Sequence, residues 1–397
     1  MRALLVLQQQ LESSLIGIHK RRRESIWRAV AGLVVGGKLW LTALGRSLPG
    51  QTSHKHRIKA IDRLLGQDAV HRQVPQFYRA LAARLLKLTK RPVVIVDWTS
   101  LGSEHYVLSA QLCCDGRSMP LYNRVFPKRR QGNPTAQREF LRDLVAILPS
   151  DHNPIIVTDA GFRSPWFDAV DELGWDFVGR IRNRTKVYCE RDQAWIPVDK
   201  LHRLAGGCAR DLGWRWLPLT QPREYRLVLS ARPKLKGRKR KTRSGRAGHC
   251  STDIKCSRGA REPWLLATSL TSHAKAVVGI YKLRMQIEQS FRDAKNFRHG
   301  WCLQHARSKS VKRLEVLLLI AALAFVVRHV VGRAATFCQL ERLFQANTTT
   351  RRRVLSFFVL AKFVLRSRMA LPAFTLARAL DQIAETLALH STIVVGE

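Results

Sequence analysis

The pattern that decides the fold lies in residues 275–297, KAVVGIYKLRMQIEQSFRDAKNF. On a continuous helix of about 100° per residue, Tyr281, Arg284, Glu288 and Lys295 fall within one arc of about 60°. We therefore expect these four side chains to share one face of a single helix over about four turns. The plainer alternative is that Arg284 and Glu288 form only an exposed i,i+4 ion pair.

A stripe of apolar residues runs beside this arc, formed by Leu283, Ile287, Phe291 and Ala294. Because such a stripe packs against a neighbouring element, we expect Glu288 to be held at the rim of the core, beside a sheet. Asp293 falls on another side of the helix, and we expect it to point away from the core. The spacing therefore selects Glu288 rather than Asp293 as the functional carboxylate.

Residues 91–182 alternate between strand patterns and helix patterns, which predicts an α/β region. The short runs VVIV and IIV are typical of buried strands, and the segment between them, residues 105–126, is typical of a hairpin with its turn at Asp115 and Gly116. A helix is predicted near residues 135–148. A further helix and strand follow the second run.

Two of these predicted strands end in aspartate. Asp97 closes the VVIV strand and Asp159 closes the IIVT strand. Taken singly, each is typical of a turn or a capping residue. Their coincidence in a chain with 29 acidic residues predicts that both carboxylates project from neighbouring strand ends at one edge of a sheet.

Three carboxylates brought together, Asp97, Asp159 and Glu288, would repel one another unless cations neutralise them. Hard oxygen ligands suit Mg²⁺, and Mn²⁺ can substitute. Two such ions can activate a water or a 3′-hydroxyl on one side of a phosphodiester and stabilise the leaving oxygen on the other. Arg284 and Lys295 would then hold the phosphates in line for attack.

The overall charge indicates a polyanionic partner. The chain has 69 Lys and Arg against 29 Asp and Glu, a formal net charge of +40 over 397 residues. Basic residues spread along the whole chain suit a long duplex better than one small ligand. Ribosomal and packaging proteins share this property, so charge alone does not establish an enzyme.

With 46% hydrophobic residues, the chain can form roughly two or three folded domains.

Several other classes of protein are disfavoured. The longest apolar run, residues 316–327, is shorter than the roughly 20 residues of a membrane span and predicts a buried helix. The N-terminus lacks the pattern of an export signal, so a cytoplasmic protein is expected.

Eight cysteines occur without any CxxC pair, which disfavours structural zinc. The grouping of His249, Cys250 and Cys256 has no common zinc spacing.

The segment LTALGRSLPGQTSHKHRIKAIDRLLG, residues 41–66, is typical of two helices joined by a turn. Ser53 is a suitable N-cap for the second helix. The basic face of that helix includes Lys55 and Arg57, which we expect to contact DNA if the pair acts as a helix-turn-helix. The alternative is a solvated basic face on an ordinary helical hairpin.

These motifs together resemble those of the DDE transposases of bacterial insertion sequences, in the insertion-sequence-four family. The family signature is Tyr, two residues, Arg, three residues, Glu, six residues and Lys, and the chain reproduces it at Tyr281, Arg284, Glu288 and Lys295. The family's two aspartates match VDW at Asp97 and TDAGF at Asp159. The similarity runs from LLG near residue 66 to FQANT near residue 345.

The resemblance implies an α/β fold, namely an RNase H-like catalytic core with a mixed five-stranded sheet and helices, which a β-rich insertion interrupts. It divides the chain into an N-terminal helical DNA-binding domain (1–88), the first part of the core (89–182), the insertion (183–272), the second part of the core with the signature helix (273–310) and a C-terminal helical region (311–397).

The resemblance also implies the reaction and the partners. Members nick the transferred strand by hydrolysis, form a hairpin at the transposon end, reopen it and join the end to target DNA. The expected DNA partners are the terminal inverted repeats of the transposon and the target DNA, both double-stranded. A second protomer is the expected protein partner, in a synaptic complex with two DNA ends. No membrane is involved, and the bacterial nucleoid is the expected location.

Further DNA contacts are expected in the insertion region. In relatives an insertion-domain tryptophan helps to hold a base flipped out of the hairpin, and Trp264 occupies a similar place, although it would serve equally as a core residue. Arg180, Arg182 and Arg184 alternate along GRIRNR and share a strand face that is suited to line the DNA path. The Arg/Lys-rich loop 232–246 is suited to bind phosphate.

Two functional hypotheses follow. The chain is either a metal-dependent transposase or a DNA-binding relative, such as a transposition inhibitor or a domesticated protein, without turnover. Intact Asp97, Asp159 and Glu288 favour the transposase, since a binding-only protein gains nothing from clustered acids in a basic groove. A simple RNase H-like nuclease gives no reason for the signature at residues 281–295.

Overall fold

The computed structural model describes residues 1–182, 185–190, 193–232, 259, 262–298, 300–306, 308–346, 348 and 352–395. The chain divides into two compact units, the first formed by residues 1–154 and 285–392 and the second by residues 155–284 and 393–397. The five-part division predicted above stays a prediction. Arg184, most of the basic loop 232–246 and the grouping of His249, Cys250 and Cys256 lie outside the described residues.

The first unit begins with five helices. They are α1 (Arg2–Leu11), α2 (Lys20–Val35), α3 (Leu41–Arg46), α4 (His54–Gly66) and α5 (Asp68–Leu85). The predicted N-cap is confirmed, because the backbone N–H of His56 donates to Ser53 Oγ at 3.4 Å. α3 and α4 cross closely, and a Cβ at Gly45 would lie 2.6 Å from the Cα of Ile58.

Three antiparallel strands follow, namely β1 (Val93–Leu101), β2 (His105–Cys113) and β3 (Ser118–Pro127), and then helix α6 (Pro134–Ile147). The hairpin and its turn at Asp115 and Gly116 are confirmed, with Gly116 in the left-handed region at φ 70°. Asn133 caps α6, because its Oδ1 accepts the N–H of Thr135 at 2.8 Å. Buried strand residues form the core beneath the helices.

The prediction that Asp97 closes its strand is wrong. Asp97 lies in the middle of β1, opposite Ser109 of β2, and pairing continues to Leu101 opposite His105. The apolar run ends at Val96, but the hydrogen-bonded ladder with β2 does not. The partner strand therefore sets the length of β1, while the loss of full burial at Asp97 marks the change from core to rim.

The second unit contains most of the remaining strands. Its elements are β4 (Ile155–Thr158), α7 (Ser164–Asp171), β5 (Asp176–Ile181), β6 (Lys186–Cys189), β7 (Ala194–Pro197), β8 (Arg210–Leu217), β9 (Arg223–Leu229), β10 (Leu265–Thr268) and α8 (Ala274–Leu283). β4 is parallel to β5, whereas β10 pairs antiparallel with both β5 and β9, and β9 pairs with β8. β6 and β7 form a separate hairpin.

Residues 89–182 contain five strands, β1 to β5, as expected for the core, but the sheet does not end at β5. Strands β8, β9 and β10, which come from the region predicted as an insertion, continue the sheet from β5. The reason is that β10 is fully buried and hydrogen-bonds along the open edge of β5. An open strand edge favours such pairing, because its backbone N–H and C=O groups need hydrogen-bond partners.

The first unit is completed by α9 (Met285–Lys295), α10 (Val311–Phe337), α11 (Phe357–Arg366) and α12 (Ala373–Val395). The predicted buried helix at residues 316–327 is confirmed within α10. By length and composition α10 could cross a membrane, but 89% of the window that passes this test is buried inside the protein. α10 therefore serves as a core helix that packs on α2, α5, α11 and β3.

The close crossing of α3 and α4 makes Gly45 a testable position. We expect Gly45→Ala to lower the free energy of unfolding by about 1–3 kcal/mol, because the new methyl meets the backbone of Ile58 and forces the helices apart. Urea denaturation measures the change. Gly17→Ala is the control, since a Cβ at Gly17 meets nothing within 4 Å. Equal stability of the two variants would contradict the crossing.

Candidate functional site

In the first unit, α9 carries two of the predicted site residues and packs on the sheet that carries a third. α9 contacts β1, β2 and β3, with Ile287 and Ser290 buried in the contact. Glu288 and Lys295 lie on α9 and are half-buried, and Asp97 on β1 is also half-buried. The structure thus places two carboxylates and one ammonium on elements that pack together.

Asp97 and Lys295 interact electrostatically. Burial lowers the pKa of the Lys295 ammonium, and the negative charge of Asp97 opposes that shift. Lys295 Nζ also lies 3.4 Å from Ser100 Oγ on the same strand. Asp97 Oδ1 accepts the backbone N–H of Trp98 at 2.8 Å, which holds its carboxylate close to the strand.

The expectation that Asp293 points away from the core is wrong, because an arginine of the hairpin turn binds it. Its Oδ2 accepts from Arg117 Nε at 2.7 Å, and the Asp293 side chain is 14% exposed. Arg117 lies in the turn between β2 and β3. This ion pair joins α9 to the hairpin, so Asp293 has a structural contact on a side of the helix away from Glu288.

In the second unit, Asp159 directly follows β4, as predicted. Its Oδ1 accepts the N–H of Gly161 at 2.8 Å. Tyr281 is buried near the end of α8. Burial raises the pKa of the Tyr281 hydroxyl, an effect that Arg284 and Arg180 oppose and Asp159 reinforces. The second unit therefore gathers one predicted carboxylate, two arginines and the signature tyrosine.

Trp264 belongs to the same group. Its ring lies edge-on to Tyr281, with the ring centroids 5.0 Å apart, and it is half-buried rather than enclosed in the core. The Arg284 guanidinium lies 6.0 Å from the Tyr281 ring centroid. Two aromatic rings and a cation are thus adjacent, and Trp264 is the less buried of the two rings.

The expectation of one continuous helix through the signature is wrong. α8 ends at Leu283 and α9 begins at Met285, with Arg284 in a turn between them. The N–H of Arg284 donates to Tyr281 O at 3.1 Å, an i→i−3 bond in place of the i→i−4 bond of an α-helix. The break is local, because Arg284 keeps right-handed helical dihedrals, φ −52° and ψ −32°. Glu288 and Lys295 both lie on α9 and share one side of it.

The arginines expected to line the DNA path are bound to an acid that the sequence analysis missed. Glu262 Oε2 accepts from Arg182 Nε at 2.8 Å and lies 3.8 Å from Arg180 Nη2. His202 Nε2 lies 3.9 Å from Glu262 Oε1, and burial lowers the pKa of that histidine. No sequence signal connects residues 80 positions apart, so the pairing emerges only in the folded chain.

The basic residues of α4 differ in exposure. Lys55 is exposed, whereas Arg57 is half-buried and donates from Nη1 to Leu48 O at 2.6 Å. Arg57 therefore stabilises the turn between α3 and α4. Lys59 and Arg63 extend the exposed basic face of α4 beside Lys55.

Comparison with known families identifies the domain family of this chain. The model of the transposase DDE domain family matches residues 88–326, which is more than half of the chain. The matched range contains Asp97, Asp159 and Glu288, and it ends within α10. No curated protein matches the chain.

Neutralising Glu262 tests whether Arg180 and Arg182 can bind DNA once their carboxylate partner is lost. We expect Glu262→Gln to raise the affinity for a random duplex about threefold at low salt and to steepen its salt dependence, because Arg180 and Arg182 lose their carboxylate partner. Fluorescence anisotropy across a salt series measures both quantities.

The matched control is Glu190→Gln. Glu190 is exposed and lies 3.7 Å from Arg215, so its variant removes the same charge from a solvated pair. We expect a smaller change in affinity. If both variants shift the affinity equally, net charge rather than release of the two arginines explains the effect.

Proposed function

The chain belongs to the family of transposases that share the DDE domain, and we propose that it is a cut-and-paste transposase of the insertion-sequence-four type, most like the transposase of transposon ten. The observation that carries the proposal is the family match over residues 88–326. Within that range the chain keeps the full signature at Tyr281, Arg284, Glu288 and Lys295. The charge of +40 supports a DNA partner.

We propose Asp97, Asp159 and Glu288 as the ligands of two Mg²⁺ ions, with Mn²⁺ as a substitute. The donor set fits, since carboxylate oxygens are the ligands these hard cations prefer. Asp97 and Glu288 are half-buried on elements that pack together, which suits a site at the rim of the core. When bound, the ions lower the barrier to phosphodiester attack by stabilising charge on the attacking and leaving oxygens.

The cationic signature residues are proposed to bind the DNA backbone. Lys295 lies beside Asp97, so a phosphate held by its ammonium would be next to a proposed metal ligand. Arg284 would hold a second phosphate beside Tyr281. Holding the reacting groups in line is the main demand that phosphoryl transfer makes on a protein.

Trp264, whose ring packs against the buried Tyr281, is proposed to compensate for an unpaired base during hairpin formation. Unpairing costs a few kcal/mol, and stacking on an aromatic side chain offsets it by about 1–3 kcal/mol. Trp264 is half-buried, so one part of its ring is accessible. Arg180, Arg182, Lys55 and Arg57 are proposed as further contacts to duplex DNA, with Arg57 acting also in the α3–α4 turn.

The proposed reaction has four steps at one active site. Water hydrolyses the transferred strand, the freed 3′-hydroxyl attacks the opposite strand to form a hairpin, a second hydrolysis reopens the hairpin, and the 3′-hydroxyl then joins target DNA. The first and third steps consume water, and the second and fourth are transesterifications that conserve phosphodiester bonds. A dimer on two transposon ends, in the bacterial cytoplasm at the nucleoid, is the proposed working form.

The deciding measurement is cleavage of a labelled duplex that carries the inverted repeat flanking the gene, with Mg²⁺ present. We expect the wild-type protein to cut and to give hairpin products, while Asp97→Ala loses cutting by about 100-fold or more and keeps DNA binding. Removal of a ligand carboxylate disables the site but leaves the basic surface intact.

The matched control is Asp171→Ala, which removes an exposed acid at the end of α7 and is expected to cut normally. Equal cutting by the wild type and Asp97→Ala would refute the metal-ligand assignment. Binding without cutting by the wild type would instead support the alternative function, a transposition inhibitor or domesticated relative. Cutting without hairpin products would indicate a simple nuclease.

A further inference from the structure

Three polar side chains of α9 bind the turn that joins β2 and β3. We propose that these residues, Gln286, Ser290 and Asp293, are positioning residues that fix Glu288 at the site, an inference that rests on the proposed function. They are called the hairpin-binding face below. None of them belongs to the Tyr-Arg-Glu-Lys signature.

Each residue of the hairpin-binding face makes a direct hydrogen bond to the turn. Gln286 Oε1 accepts the backbone N–H of Cys114 at 2.8 Å. Ser290 Oγ accepts the backbone N–H of Ser118 at 2.9 Å. Asp293 forms its ion pair with Arg117 at 2.7 Å. The three contacts cover both ends of a single turn, residues 114–118.

The hairpin-binding face lies opposite Glu288 on the helix. At about 100° per residue, its three members lie about 140–200° from Glu288, whereas Lys295 lies within about 20° of it. Hydrogen bonds are directional, so a helix held on one face by three of them has a fixed rotation about its axis. A fixed rotation of α9 sets the direction in which the Glu288 carboxylate points.

Packing alone does not fix this rotation. Ser290, Phe291 and Ala294 border a cavity of about 60 Å³ beneath α9, so the helix does not fill the space against the sheet. An apolar contact with spare volume tolerates small rotations, because it has no directional component. The hydrogen bonds of the hairpin-binding face supply the missing constraint.

Ser290 also begins a chain of buried polar side chains. Its Oγ lies 3.1 Å from Ser118 Oγ, and the hydrogen bonds continue through Gln111, Ser109 and Asn123 to Tyr78 of α5. All of these side chains are buried. Buried polar groups are unfavourable unless they are hydrogen-bonded, and a connected network holds its members in one arrangement. α9 is thereby tied through the sheet to α5.

The test is the Mg²⁺ dependence of cleavage of the inverted-repeat duplex by the full-length protein. We expect the double variant Gln286→Ala, Ser290→Ala to raise the half-saturating Mg²⁺ concentration about tenfold, because loss of partners that orient a metal ligand weakens metal affinity on that order. Asp293→Asn, which keeps the side-chain shape, is the milder probe and should raise it severalfold. DNA affinity without added metal should stay within about twofold of wild type.

A conservative variant and a stability control separate positioning from folding. Ser290→Thr keeps the hydroxyl, and the adjoining cavity has room for its methyl, so we expect near wild-type Mg²⁺ dependence. Ser391→Ala removes a buried hydroxyl of α12 that accepts a hydrogen bond from Thr89 at 2.9 Å. We expect it to lower thermal stability and to leave the Mg²⁺ dependence unchanged.

The outcomes are distinct. If the wild type cleaves and the double variant and Asp293→Asn keep its Mg²⁺ dependence, the positioning role is wrong and the proposed function stands. If Ser391→Ala shifts the Mg²⁺ dependence as much as the double variant and Asp293→Asn do, general destabilisation explains the effect and the positioning role is again wrong. If the wild type fails to cleave at any Mg²⁺ concentration, the proposed function fails, and the inference fails with it.

Discussion

The docking of α9 on the three-stranded sheet of the first unit is the contact on which the candidate site depends. A helix of 11 residues is marginal in water on its own, so its order comes from the surface that it packs against. Its side chains divide into an apolar stripe, the hairpin-binding face and the side that carries Glu288 and Lys295. The position of Glu288 is therefore a property of the tertiary contact rather than of the local sequence.

Ion pairs with arginine hold several acids of this strongly basic chain in place. Asp293 and Glu262 are bound by arginines, and their ion pairs stabilise the contacts between elements. Partly buried charges need such partners, since an unpaired one is strongly unfavourable. The cationic excess that remains is available to a polyanion.

Local patterns in the sequence predicted the elements but not their long-range partners. Strand runs and turn residues located β1 to β5, and the N-cap at Ser53 located α4. No local pattern predicts the continued pairing of Asp97 within β1, the addition of β10 to the edge of β5 or the ion pair of Glu262 with Arg182, because each depends on residues distant in the chain. The helix break at Arg284 was missed for another reason, since neither Gly nor Pro marks it.

Lys295 shows how placement and charge support each other within the first unit. Its position seven residues after Glu288 is about two helical turns, which keeps both on one side of α9. That position half-buries an ammonium, and burial alone would favour its neutral form. Asp97 opposes that effect by offering an anionic neighbour, so Lys295 can remain a cation at the rim of the core. A DNA phosphate would give it a second anion, and the lysine is therefore suited to a surface where carboxylates and phosphates must lie close together.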